Sequence, residues 1–399
     1  MTASRHPREI RHPAWPHRTL EAPGHRPRPL AQFVLKIHSR CNLACSYCYV
    51  YEREETGWQA QPVRMSPRTL RAAAARIGEH ATTHELPSVR VVMHGGEPLL
   101  AGVETLRLAA AEVRSALPYG TRLELVVQTN GVLLTRAALT ELAGCGYRIG
   151  VSLDGAPADH DRRRTTRSGR GTHAAVARAL DLLRTEFPEA YGGLLCVVDP
   201  GTDPVATYES LLTFAPPMID FLLPHGTWTT PPPGRTPGDP ATPYADWLLA
   251  IFTRWYGRRT KQTSIRLFEA IMGGLLGAPG GSEAVGLAPS DLAVIDTDGS
   301  LRQSDALNAA YDGAWETGLD VFAHPIDALL AHPVTIARQL GPAALAPACT
   351  ACELVRVCGG GFFPHRYRAP GGFRNPSVYC PDLFRLIDAV ACRVRADLG

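Results

Sequence analysis

The chain has 399 residues, 45% hydrophobic and 20% charged, enough for one large domain and a smaller one around an ample core. A formal net charge of +3 gives no ground for nucleic-acid binding, and no run of 18 apolar residues is present to span a membrane. Ten cysteines without an N-terminal apolar export signal argue against a secreted disulfide scaffold and lead us to expect metal ligation in a reducing cytoplasm.

In chain order, residues 1–30 are rich in Pro, Arg and His without periodicity and are expected to form a flexible basic arm. Strand-like runs at 33–37, 89–93, 123–128, 148–153, 193–198 and 219–223 then alternate with helical patterns. The helices are expected at 66–80, 102–116, 135–143, 173–185 and 204–214, the first opened by Ser66 as N-cap and Pro67 at the first turn. Such alternation predicts βα units and a parallel sheet, an α/β fold. A proline-rich stretch over 224–243 marks a boundary, followed by helical segments at 244–256 and 265–276. Residues 292–307 read as a hairpin turning at Asp298-Gly299, and a last helix is expected at 382–395. The expected organisation is an arm (1–30), an α/β core (31–240), bridging helices (241–281), a small cysteine-bearing domain (282–385) and a C-terminal helix (386–399).

The chemistry concentrates in the loop after the first strand, where Cys41, Cys45 and Cys48 form a C-x3-C-x2-C pattern. Thiolates this close suit an iron–sulfur cluster or zinc, and three ligands leave one metal position open. A zinc knuckle completed by His38 is the alternative. The following strands each end in a turn able to touch a ligand. These are His94-Gly95-Gly96-Glu97-Pro98, then Gln128-Thr129-Asn130-Gly131, then Ser152-Leu153-Asp154-Gly155 with His160, Asp161 and Arg164 beyond. Glycines permit close backbone approach, and the planar fork of Arg164 suits a carboxylate or ribose.

Taken together, these motifs resemble the radical S-adenosylmethionine (SAM) superfamily over residues 31–385. The resemblance implies a partial (βα)6 barrel, with SAM chelated by the unique iron of a [4Fe–4S] cluster on Cys41, Cys45 and Cys48. Cofactor contacts carried over are Tyr47, Gly95, Gly96, Glu97, Ser152 and Arg164, with a backbone contact near Leu222.

A second set, Cys349-x2-Cys352-x5-Cys358 and Cys380, resembles a SPASM domain and implies one auxiliary [4Fe–4S] cluster. From the residues alone a four-cysteine zinc ribbon is equally possible. The seven-cysteine form of SPASM has further cysteines where this chain has Phe362 and Ser304, and its early cysteine pair is missing here. The inner auxiliary cluster is therefore expected to be absent. Cys145, Cys196 and Cys392 are isolated, and His38, His94, His225 and His365 carry no assignment.

Residues 33–51, with the CGGGFFPHRY and NPSVYC stretches, look like the FxsB-like maturases, which build cyclophanes on ribosomal precursor peptides. The implied reaction begins with reductive cleavage of SAM by an electron from a flavodoxin- or ferredoxin-type donor. It joins an aromatic ring carbon to the β-carbon of a nearby residue. Asp305 matches the aspartate that accepts the proton in sulfatase-maturating relatives, and a hairpin residue capping the next turn is the plain alternative. The rival functions are formylglycine formation on a sulfatase and a non-catalytic metal-binding adaptor.

Overall fold

The computed structural model describes residues 25–52, 56–278 and 282–398. Most of the arm expected at 1–30 lies outside these residues. Six parallel strands form the centre of the sheet: β1 (Gln32–His38), β2 (Ser88–Gly95), β3 (Arg122–Thr129), β4 (Tyr147–Ser152), β5 (Tyr191–Val197) and β6 (Met218–Leu222). They follow one another in chain order across the sheet, as βα crossovers require. The connecting helices are α1 (Pro67–Thr83), α2 (Val103–Ala116), α3 (Arg136–Gly144), α4 (Pro157–Arg163), α5 (His173–Glu186) and α6 (Pro204–Leu212).

Local chemistry explains the boundaries. The Ser66 hydroxyl accepts from the Thr69 N–H at 3.0 Å, and Pro67 occupies the first turn of α1. Leu70, Ala73, Ala74, Ile77 and Ala81 then form one buried stripe against the sheet. Phe33, Leu35 and Ile37 of β1 are fully buried, the composition of a strand packed in a parallel sheet.

The C-terminal third adds strands to the same sheet. The strand Leu292–Ile295 pairs in parallel with β1, placing Leu292 beside Gln32 and Ile295 beside Leu35. Ser300–Arg302 and Glu316–Asp320 then continue the same sheet antiparallel, and Ser264–Ile265 extends its other edge beyond β6. The hairpin expected inside a separate domain is thus part of a ten-stranded sheet. A strand buried on both faces needs neighbours on both edges, and β1 finds its second neighbour here. The two outer strands do not pair with each other, so the barrel is open.

Helices α7 (Pro243–Tyr256) and α8 (Arg266–Leu275) follow the proline-rich stretch, then α9 (Pro333–Gln339) and α10 (Cys380–Leu398). The last helix begins at Cys380, two residues before its expected start. The Asp382 carboxylate accepts from the N–H groups of Tyr244 (2.9 Å) and Ala245 (3.1 Å), capping α7. No helix among the described residues is long and apolar enough to cross a membrane.

Candidate active site

Gly95, Thr129, Ser152, Val197 and Leu222 are the last residues of β2, β3, β4, β5 and β6, and all five line one cavity of about 250 Å³. The loop after β1 covers it with Cys41, Cys45, Tyr47, Cys48, Tyr49 and Tyr51. Two short strands hold that loop down. Leu43–Cys45 pairs antiparallel with Arg164–Thr166, setting Cys45 opposite Arg164. The turn after β2 adds a second clasp, since the Gly96 N–H donates to His38 C=O (2.9 Å) and the Glu97 N–H to Arg40 C=O (3.0 Å). A Cβ on Gly96 would stand 2.2 Å from the Tyr51 hydroxyl and 2.3 Å from Arg40 O. Only glycine fits between turn and loop.

Three half-buried cysteines line one space. Burial pushes the Cys41 thiol up to about 12 and raises those of Cys45 and Cys48. The Leu43 N–H donates to Cys41 Sγ at 3.4 Å, and the Val50 and Tyr51 N–H groups favour charge on Cys48. Soft donors, desolvated and surrounded by N–H groups, fit an iron–sulfur cluster, whose iron charge offsets the cost of burying thiolates. His38, the alternative zinc ligand, bonds instead to the backbone of Arg40.

Arg164, Tyr47 and Asp154 form a connected set. The Tyr47 hydroxyl donates to the Asp154 carboxylate and accepts from Arg164 Nη1 at 2.6 Å, with Arg164 and Asp154 paired at 3.8 Å. Burial would lower the Arg164 pKa, but Tyr47 and Asp154 beside it hold it above its ordinary value. Burial also keeps the Tyr47 phenol protonated, well above its usual range. Arg164 is 8% exposed, and its Nε has no partner among the described residues. That leaves a cationic donor at the cavity for a carboxylate or hydroxyl. The Ser152 hydroxyl accepts from Gln128 Nε2 at 3.2 Å, and both residues line the cavity.

Glu97, expected among the cofactor contacts, lies elsewhere. It is 0% exposed, and its carboxylate accepts from the Thr129 hydroxyl (2.7 Å) and the N–H groups of Asn130 (2.8 Å) and Leu99 (3.0 Å). With three bonds accepted, this carboxylate fastens two strand-end turns together.

Asp305 pairs with Lys36 Nζ at 3.4 Å, their side chains 8% and 4% exposed. Neither carboxylate oxygen accepts a hydrogen bond among the described residues, so Asp305 is not a helix cap. It is not a lining residue either, but its charge acts on His94, Tyr49 and Tyr51, which are. Tyr49, His94, Gln128, Asn130 and His225 line the cavity without having been singled out as site residues. The QTNG turn and the HGGEP motif signalled three of them. Tyr49 and His225 stand in no recognisable motif.

Cys349, Cys352, Cys358 and Cys380 line a second, mostly apolar cavity of about 80 Å³. Two single helical turns, Pro347–Thr350 and Val355–Cys358, the link between them that carries Cys352, and the first residue of α10 present them. Left-handed Gly359, Gly360 and Gly361 turn the chain tightly after Cys358, and a Cβ on Gly359 would stand 1.7 Å from Gly286 O. The buried Arg366 guanidinium donates to Gly359 O (2.7 Å) and Gly361 O (2.6 Å), close enough for its charge to ease ionisation of Cys349 and Cys358. Four converging sulfurs beside a cation fit a fully ligated cluster. Phe362 packs its ring on His225 (5.6 Å) and His365 (5.2 Å). Cys196 is buried in β5 and Cys392 is exposed on α10, away from both sets.

Residues 35–208 match the family model described as the Radical SAM superfamily. A serine-type anaerobic sulfatase-maturating enzyme of Klebsiella aerogenes is 26% identical over 382 residues, covering 94% of this chain and 89% of that protein. Among solved structures, native anSMEcpe with bound AdoMet superposes with a TM-score of 0.77 at 22% identity, covering 93% of this chain and 99% of that one. Streptococcus suis SuiB bound to its precursor peptide SuiA gives 0.54 at 13% identity, covering 87% and 75%. The two structural likenesses concern the fold. The matched residues 35–208 run from within β1 through β5 and hold the cysteine loop and the strand-end turns described above, and in these this chain is similar to radical SAM domains.

Proposed function

We propose that this protein is a radical SAM enzyme that oxidises a ribosomally made peptide, joining an aromatic ring carbon to the β-carbon of a nearby residue. Cys41, Cys45 and Cys48 hold the [4Fe–4S] cluster that binds SAM, and Cys349, Cys352, Cys358 and Cys380 hold an auxiliary one. When bound, these groups supply the reducing electron, the hydrogen-abstracting radical and a one-electron acceptor.

The chain's own residues bind, orient and move the proton. Arg164 offers its free Nε to the SAM carboxylate or ribose, while Tyr47 and Asp154 hold the guanidinium in place. Gly95 and Gly96 bring backbone against the ligand, and Leu222 closes the far side of the cavity. Asp305, whose charge acts on the lining residues His94 and Tyr49, is the final acceptor of the ring proton, which reaches it through a group lining the cavity.

One observation carries the cross-linking reading. By the SPASM resemblance Phe362 and Ser304 stand where an inner auxiliary cluster would need cysteine, and an aromatic wall of Tyr49, His225 and Phe362 stands beside the cavity. Such a wall suits an aromatic substrate side chain. Formylglycine formation is the second reading, favoured by the 26% identity to a sulfatase-maturating enzyme across most of both chains.

Both reactions are two-electron oxidations. Cross-linking and formylglycine formation on Ser each remove two hydrogens, so mass alone does not separate those two, whereas formylglycine formation on Cys also exchanges sulfur for oxygen. Reconstituted enzyme, SAM, a flavodoxin- or ferredoxin-type reductant and the precursor peptide are combined, and the product is fragmented. A bridge between two residues supports cross-linking. One oxidised Cys or Ser supports formylglycine, and unchanged peptide mass with SAM turnover refutes both.

A further inference from the structure

The two cysteine sites are joined by a file of aromatic rings, the first two of which also stand in the cavity wall described above. Tyr49 directly follows Cys48 and lines the active cavity. Its ring meets His225 edge-on with centroids 4.5 Å apart. His225 lies 5.6 Å from His365, with Nδ1 and Nε2 of the two rings 3.4 Å apart. His365 lies 5.0 Å from Tyr379, one peptide bond from the ligand Cys380. The rings of His365 and Tyr379 are buried, and the Tyr379 hydroxyl is fixed by donating to Pro224 O at 2.6 Å. Every step lies within the separation of packed aromatic pairs, and Phe362 buttresses the middle two rings.

We infer that Tyr49, His225, His365 and Tyr379 are positioning residues that form an electron bridge between the active cavity and the auxiliary cluster. The inference rests on the reading that both cysteine sets hold [4Fe–4S] clusters. It takes over the span that an inner cluster would otherwise serve, because Phe362 has no donor atom and Ser304 offers no thiolate. The electron is the one left when the substrate radical becomes product. The new C–C bond forms, a ring C–H bond breaks, its proton goes to a base, and the electron reduces the auxiliary cluster from [4Fe–4S]2+ to [4Fe–4S]+. The rings serve as contact between donor and acceptor and are not themselves oxidised. Arg366, buried beside Cys349 and Cys358, favours the added negative charge.

The test needs no peptide. Reconstituted holoenzyme with SAM is photoreduced and freeze-quenched, and electron paramagnetic resonance follows redistribution between the SAM-shifted signal and the auxiliary signal. His365→Leu and the less buried His225→Leu are expected to slow redistribution about tenfold or more, while His365→Phe, which restores a ring, stays within about twofold of wild type. Unchanged rates in both leucine variants at full iron content would overturn the bridge while leaving the two-cluster reading intact. A wild-type protein binding about four irons instead of about eight overturns both together.

Discussion

Lys36 and Asp305 form a buried ion pair, one at the core of β1 and the other at the foot of the hairpin that extends the sheet. Lys36 also lies 4.4 Å over the Trp315 ring, which holds Arg302 at 4.2 Å. With two cations stacked on one ring, Asp305 is the carboxylate that compensates Lys36. Asp305→Ala should therefore destabilise the fold by about 3–5 kcal/mol, as removal of one partner of a buried pair does, read from chemical denaturation. Asp305→Asn keeps the shape and should retain SAM cleavage while lowering peptide product sharply. Full product yield from Asp305→Asn would end its assignment as base.

Gly96→Ala tests the clasp on the cysteine loop. Its Cβ would press on Arg40 backbone, which cannot swing aside as a side-chain tip can. The loop must shift, at about 1–3 kcal/mol of overpacking. Iron content should fall from about eight toward about four per chain, because the auxiliary cysteines are untouched. Retention of all iron would show that the loop adapts.

Arg164→Lys keeps the charge but loses the planar fork that meets Tyr47 at 2.6 Å and leaves Nε for a ligand. Loss of one charged hydrogen bond corresponds to about 1.5–3 kcal/mol, hence SAM binding weaker by roughly ten- to a hundredfold. Equilibrium binding to the reconstituted protein measures this directly.

His160 gives a pH signature. Burial, with Arg164 nearby, depresses its pKa from 6.5 to about 3. Its Nδ1 accepts from the Asp154 N–H at 3.2 Å, and Nε2 meets the Thr172 hydroxyl at 3.0 Å, so the neutral ring is the one that fits. The unfolded chain binds a proton below 6.5 that the folded chain refuses until about pH 3. Stability from this group is therefore complete above 6.5 and declines as pH falls, by about 2 kcal/mol at pH 5. Denaturant midpoints between pH 5 and 7 should show this slope, and His160→Gln should flatten it. An equal slope in the variant would assign the acid sensitivity to other groups.

Much of the core was legible in the sequence because apolar period and punctuation agree there. Ser66-Pro67 opens α1 where expected, and the six central strands fall within a few residues of their predicted spans. The cysteines and strand-end turns were legible because short spacings constrain geometry. Less visible were pairings between distant segments. Nothing local in Leu292–Ile295 states that its partner is β1, and the three-residue strands carrying Cys45 and Arg164 are too short for a periodic signal. The direction of the Glu97 side chain was hidden for a related reason. Its motif marks a ligand-facing turn, but the backbone turns its side chain into the protein, where Thr129 and Asn130 take it up.

The seam between Leu292–Ile295 and β1 has a consequence for biosynthesis. It closes a loop of about 260 residues, so the ribosome must release most of the polypeptide before that rim of the N-terminal strand is covered. A transcript truncated upstream of Leu292 would yield a protein with a raw, adhesive border beside its first three thiols, prone to self-association in place of iron uptake.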